Sequence, residues 1–500
     1  MGAAMDWSFS TLTLYILPLL LLLYILKSLK LWTSDTSAGN FPPGPPRLPV
    51  IGNLHMINLK RPSETLMKLS KKYGPVYSIQ MGNVKMVVLS GYETVKSALV
   101  DYADEFAERP HIPIFEDINE GFGIPFSHGE NWKIMRRFTL SKLRDFGMGK
   151  RTLEDRIIEE CGYFIKLLES LEGKPTDLTI KMSFAIGNII ISIIFGQRFD
   201  YQDPDLFKVM SIIDQNAGLF GSPSVTLYNV LPFFQYLPRT NIKIKKNIKE
   251  LLTFFKKKIA EHLKTLDKND QRGFVDAFLI KQEEEKSDPN TYFHKKNLLS
   301  ILITLFMAGT ETTSSTIRWA ILFMIQNPEI QKRVHDEIDK VIGSAVPRID
   351  HRKDMPYTNA VIHETQRRAN IVPMNLPRET TKDIIFQGYY LPKGTYIIPL
   401  LESVLHDRTQ FEKPESFHPE HFLDPEGQFV KKSAFMPFSA GRRACAGEKL
   451  ARMELFLFFT SLMQKFSFQS STEMTDFFVK PALGFTISPV AQKICCVPRI

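Results

Sequence analysis

The stretch HKKNLLSILITLFMAGTETTSSTIRWAILFMIQNPE (residues 294–329) limits the fold more than any other part of the chain. It is apolar with helical period over most of its length and stops at Asn327-Pro328. A helix this long and this apolar sets a mainly helical body. Yet its middle, FMAGTETTSS, carries an acid, Glu311, and a row of hydroxyls beginning at Thr310. An acid and a hydroxyl inside an apolar helix are costly unless they are used. The bland alternative is a polar turn that faces solvent. Ala308 and Gly309 are small and are followed by hydroxyls, which predicts a local widening of the helix here.

The rest of the chain agrees with a mainly α fold carrying a small β portion. EDRIIEECGYFIKLLESLEG spaces apolar residues three and four apart and ends at Gly173. PVYSIQMGNVKMVVLSG (Pro75 to Gly91) alternates around Gly82-Asn83 and predicts a β-hairpin. KDIIFQGYYLPKGTYIIPL returns to strand character. Neither an internal repeat nor a domain boundary interrupts the body. The expected organisation is an anchor over 1–30, a proline-rich hinge over 31–50 and one domain over 51–500.

The anchor is WSFSTLTLYILPLLLLLYIL (Trp7 to Leu26), twenty residues without a charge. It is longer than a usual signal-peptide core, and no small-x-small cleavage site follows it. Asp6 precedes it while Lys27 and Lys30 follow, so the positive-inside rule puts the body in the cytoplasm. Pro42, Pro43, Pro45 and Pro46 around Gly44 then predict a stiff spacer. NVLPFFQYLPR (residues 229–239), with Phe233, Phe234 and Tyr236, is read as a second membrane contact. The amphipathic basic stretch after it, Asn241 to Lys264, reads as a helix with a solvated face. The net charge of +9 fits an anionic membrane surface or an acidic protein partner. The chain shows no nucleic-acid-binding motif, which puts nucleic acid last. Four cysteines in 500 residues make no disulfide framework and suit a reducing compartment.

One of those cysteines stands in a specialised setting. Cys445 has no clustered ligands for zinc and no histidine close by in the sequence to make it a nucleophile. A buried structural cysteine is the plain alternative. Gly441 and Gly447 permit a tight bend and the close approach of a bulky flat group. A helix beginning near Cys445 aims free N–H groups at the sulfur and favours thiolate. Arg442 and Arg443 add positive charge for the carboxylates of a ligand. A single thiolate on an otherwise open metal suits iron already held by a macrocycle.

FSAGRRACAG resembles the haem-binding pattern F-x-x-G-x-R-x-C-x-G of the cytochrome P-450 superfamily, matching at Phe438, Gly441, Arg443, Cys445 and Gly447. Other stretches match in the right order. They are W-x-x-x-R at Trp132 and Arg136, A-G-x-[DE]-T from Ala308 to Thr312, and E-x-x-R at Glu364 and Arg367. The P-E-R-F stretch appears as Pro419, Glu420, His421 and Phe422, with histidine replacing arginine, so whether charge or hydrogen bonds hold that network stays open. The resemblance spans the body and is closest to the microsomal family-2 group, which oxidises drugs and other foreign compounds, fatty acids and steroids.

This resemblance implies a single haem domain behind a transmembrane helix, with haem b bound by the Cys445 thiolate, a general property of the family. Trp132, Arg136, Arg443 and Arg378 are implied to serve the haem carboxylates, and Glu364 with Arg367 to support the fold. Glu311 and Thr312 are assigned to proton delivery in oxygen activation. Phe115, Ile301, Phe306, Ala308, Val372 and Phe485 are placed in a pocket for a hydrophobic small molecule. The implied activity is a monooxygenase of the endoplasmic reticulum membrane, single-pass with a cytoplasmic body. It takes NADPH electrons through a flavoprotein reductase, with a small haem electron carrier as a further donor. Lys133, Arg137, Lys431, Lys432, Arg442 and Lys449 are expected to form the basic docking face. A haem-thiolate isomerase or dehydratase acting on peroxides would not need the Glu311–Thr312 pair. A haem sensor or carrier would need neither that pair nor a long pocket.

Overall fold

The structure is a computed structural model that describes residues 40–236, 240–472, 481–482 and 484–499. The anchor sequence and the end of the 229–239 loop therefore lie outside the described residues. The long apolar stretch forms one unbroken α-helix, Lys295–Gln326, capped at its start by His294. By length and composition it could cross a membrane, but 67% of its most apolar window is buried inside the protein. It is the axis of the body. The Thr179–Phe195 helix packs along it, with Gly309 against Ile190, and the Glu448–Lys465 helix lies on another side. Thr179–Phe195 is buried nearly all round, as its run of isoleucines dictates.

The expected widening at Ala308–Thr312 does not occur. The Thr312 hydroxyl instead donates to the Ala308 carbonyl one turn back, at 2.7 Å, and the helix continues. The basic stretch forms the Thr240–Lys264 helix, with Ile244, Ile248, Leu251, Phe255 and Ile259 inward.

The predicted hairpin is present as Val76–Met81 and Val84–Leu89. Val84–Leu89 pairs in parallel with Tyr396–Pro399, which in turn carries Arg378–Glu379 at the sheet edge. A three-stranded sheet (Thr176–Asp177, Lys493–Pro498, Phe466–Ser470) and a small hairpin (Ile384–Phe386, Tyr389–Leu391) complete the β portion.

The proline-rich segment is no free-standing spacer where it is described. Pro42 and Pro45 are buried. The Pro43 carbonyl accepts from the Ser78 N–H at 2.7 Å, and Pro42 accepts from the Ser78 hydroxyl at 2.9 Å. From Phe41 onward the segment belongs to the sheet side of the domain.

Glu364 and Arg367 are completely buried and joined by two bonds of 2.7 Å. Arg367 also donates to the carbonyls of Leu405, Pro414 and Ser416. His421 completes the set, with Nδ1 at 3.2 Å from Glu364 Oε2 while Nε2 accepts from the Lys413 N–H. A ring that accepts at one nitrogen and donates at the other is a neutral imidazole. The histidine that replaces arginine thus holds the network by hydrogen bonding.

Candidate active site

The cysteine loop is built from backbone. Ala440 leads into a short turn, Gly441–Arg443, and the Cys445 N–H closes the loop on the Phe438 carbonyl at 3.0 Å. Gly441 has φ +72°, and a Cβ there would stand 1.7 Å from the Leu99 carbonyl oxygen. Its close approach is therefore to protein backbone, not to a ligand. Gly447 is the open one, because a Cβ there would meet only Cys445 Sγ, at 3.9 Å. Phe438 lies beneath the Arg452 guanidinium, 5.0 Å from its ring centre.

The helix begins at Glu448, and the Gly447 and Glu448 N–H groups bond the sulfur. Burial nevertheless pushes the Cys445 thiol up, outweighing those bonds and the charge of Arg136. The helix end thus favours thiolate in the expected sense, through two N–H groups aimed at the sulfur, while burial works against it. Cys445 is accessible although protein surrounds it, so it opens onto interior space. Ala308 and Thr312 form an accessible patch on the long, mostly buried helix.

Four arginines gather beside this loop. Arg136 donates to the Ala444 carbonyl, next to the cysteine, at 2.6 Å. Arg443 stacks on the Trp132 ring at 3.7 Å and spends its donors on Ala107, Ile124, Ser127 and Glu108. Arg378 is 1% exposed, donates once, to the Ser439 hydroxyl, and leaves Nε and Nη1 without partners. The fourth, Arg109, is a residue that sequence reasoning missed. It is 3% exposed and holds the Pro125, Leu376 and Pro377 carbonyls. Nothing local marks it, because its partners are peptide oxygens brought in by the fold. Arg442, by contrast, is exposed and forked onto Asp104, so it does not join a ligand-facing set.

Burial and mutual repulsion bear on these cations together. Burial, then Arg443 and Arg136, push Arg378 down to about 9. Arg443 falls to about 10 through burial, with Glu108 opposing. Burial lowers Arg109 as well, with Arg378, Arg443 and Arg136 adding to it. Burial alone would raise the Glu108 carboxyl, but His128, the Arg109 N–H and Arg443 hold it down at about 2. The Trp132 indole N–H is also buried without a partner. Orphaned buried donors on a crowded cationic wall next to an accessible thiol fit a planar metal macrocycle that carries carboxylates.

Glu311 and Thr312 are adjacent in sequence but turn apart. The Glu311 carboxyl takes bonds from the hydroxyls of Thr486 at 2.6 Å and Ser315 at 3.0 Å. Burial raises it above the usual carboxylate range, against the pull of those bonds and Arg318.

A cavity of ≈ 1200 Å³ lies on the sheet side of the long helix, with Phe115, Val372 and Phe485 in its lining. Phe115 stacks on Phe126 at 3.9 Å and meets Phe485 at 6.0 Å. Ile301 and Phe306 do not line it. Both are 0% exposed, and Phe306 packs on Phe255 in the core. Ala308 is accessible but is not in this lining.

Comparison with known proteins agrees with this geometry. The cytochrome P450 family model matches residues 42–496. Over 495 residues the chain is 47% identical to cytochrome P450 2K4 of Oncorhynchus mykiss, covering 98% of each chain. It is 48% identical over 456 residues to cytochrome P450 2K6 of Danio rerio, 90% of each. Against cytochrome P450 2C23 of Rattus norvegicus it is 45% identical over 477 residues, 95% of this chain and 97% of that one. With its helical body, cysteine loop and cationic wall, the chain belongs to the cytochrome P450 family and is a family-2, haem-thiolate monooxygenase of the microsomal type, supplied with NADPH electrons by a reductase.

Proposed function

We propose that the Cys445 thiolate would hold the iron of haem b, and that Arg378, Arg136 and Trp132 would receive the haem carboxylates while Arg443 braces Trp132. The substrate is a small hydrophobic molecule, which gains one oxygen atom. The observation that carries this is Arg378, a buried guanidinium with two unpartnered donors among three other arginines. When bound, haem supplies the redox centre for oxygen transfer.

The chain's own groups do the rest. The Gly447 and Glu448 N–H groups and Arg136 hold negative charge at the sulfur. The Thr312 hydroxyl offers a proton position on the accessible face of the long helix. Burial favours the protonated form of Glu311, against the bonds from Thr486 and Ser315, and the carboxyl reaches that face only by leaving those two hydroxyls. Phe115, Val372 and Phe485 exclude water and select apolar ligands.

The reductase docks on the face that carries Lys133, Arg137, Lys431, Lys432, Arg442 and Lys449, and a small haem carrier uses the same face. Asp104 and Glu130 already offset part of that charge. The protein sits in the endoplasmic reticulum membrane by residues 1–30, its body in the cytoplasm. Phe233, 61% exposed, makes a second lipid contact, while Phe234 packs inward.

The test is the spectrum of the dithionite-reduced protein with carbon monoxide. We expect a strongly red-shifted Soret band that Cys445→Ser abolishes; a band that survives the substitution would refute the ligand assignment. Thr312→Ala should consume NADPH but release peroxide in place of product, and unchanged coupling would remove its proton role.

A further inference from the structure

On the outer side of the Arg443–Glu108 pair is a cluster that oxygenation does not use. His111, Glu116 and His128 each bring a ligand atom to within 4.8 Å of the others. His111 Nδ1 is 3.0 Å, and His128 Nε2 3.7 Å, from the same oxygen, Glu116 Oε1. A tetrahedral ion with bonds of about 2.0–2.1 Å spaces its ligand atoms by roughly 3.3 Å, a value that those two distances bracket.

His128 is set as a ligand. Its Nδ1 faces Glu108 Oε1 at 3.1 Å, while Nε2 is buried with no hydrogen-bond partner. A carboxylate on one ring nitrogen fixes the tautomer that leaves the other lone pair free for a metal. His128 is held at the start of the Gly129–Asp145 helix, and Glu116 on the Pro113–Asn119 helix. The two imidazoles stack at 4.4 Å, and the His111 side chain is 73% exposed, so it turns toward a shared ion without disturbing the core. The charge suits a cation as well. Glu108 and Glu116 flank the rings, and Glu379, whose carboxyl feels both histidines, bonds the Glu108 carbonyl through its N–H.

We propose that His111, Glu116 and His128 form a three-ligand site for a divalent transition ion that prefers imidazole, zinc or copper(II), with a fourth position open to solvent. The site has two routes to the active centre. Glu116 adjoins Phe115 of the cavity wall, and Glu108 ties His128 to Arg443, two residues before Cys445.

The test uses the full-length haem protein, equilibrated with zinc and dialysed against a weak chelator, with zinc per chain measured by atomic emission. The wild type should retain one ion per chain. His111→Ala and Glu116→Gln should each hold it at least about tenfold more weakly, while their reduced carbon-monoxide spectra stay unchanged. No retained ion in the wild type, or equal retention in both variants, would overturn the site.

Discussion

Arg367 and Arg378 are equally buried and differ in every other respect. Arg367 meets a carboxylate through two short bonds and three carbonyls besides, so its charge is fully answered within the chain. Arg378 has one hydroxyl and two idle donors, and its nearest charged neighbours are other arginines. Taking a guanidinium out of water costs several kcal/mol, which only good partners offset. Burial therefore does not separate a structural cation from a binding one; the count of answered donors does. On that count Arg367 is satisfied within the folded chain, while Arg378 keeps two unanswered donors that the proposed haem carboxylate would answer.

The largest expected effect breaks the first half of this contrast. Arg367→Ala leaves the Glu364 carboxylate in the core without its cation, with only His421 and the His418 N–H for partners, and should destabilise the protein by about 3–5 kcal/mol. Chemical denaturation with and without haem should show the same loss, since the pair acts within the protein. Arg378→Met should do the reverse. The protein without haem should be as stable as wild type or more so, while haem dissociates about ten times faster or more, as transfer to an apo-globin acceptor would measure. Unchanged haem retention would put Arg378 with the structural cations.

The smallest effect sharpens the contrast with a buried acid. Glu454 is 1% exposed, accepts from the Thr313 hydroxyl at 3.1 Å and has an unpartnered Oε1. Burial raises it to about 8. The folded state then keeps a proton that the unfolded chain releases above the ordinary carboxylate range near 4.5. Its contribution to stability is present at low pH and is lost as pH rises from there to about 8. Glu454→Gln should gain on wild type steadily as pH rises from about 5 to 8, read from melting temperatures across that range. Parallel pH profiles would mean that the acid is ionised in the fold.

The sequence made the anchors of this site legible because they carry local pattern. The cysteine loop, the Trp132–Arg136 turn and the Glu364–Arg367 turn each occupy a few consecutive residues, and the long helix announced itself by period. What it concealed depends on contacts distant in sequence. Arg109 looks like any arginine before a proline, since its partners at 125, 376 and 377 come together only in the fold. Neighbourhood in sequence alone places Phe306 in the pocket. Two residues from Ala308 is roughly 200° around a helix, and it points to the opposite side. Ile301 shares the face of Ala308 but sits two turns earlier, where Ser300 bonds Asn119 and Phe122 and the 119–124 segment covers the helix. The helix start at Glu448 was legible beside Cys445, but the burial that opposes its N–H groups was not, because burial is a property of the whole molecule.

The Gly441–Leu99 contact has a consequence for how steadily the cysteine is held. The meeting of peptide with peptide leaves no side chain between them to change rotamer. The position of the cysteine loop is thus gauged by bond lengths and angles, the stiffest quantities in a protein. Leu99 meets Gly441 through its backbone, while its side chain answers to the core in which it is buried; residue 441 has room for no side chain at all.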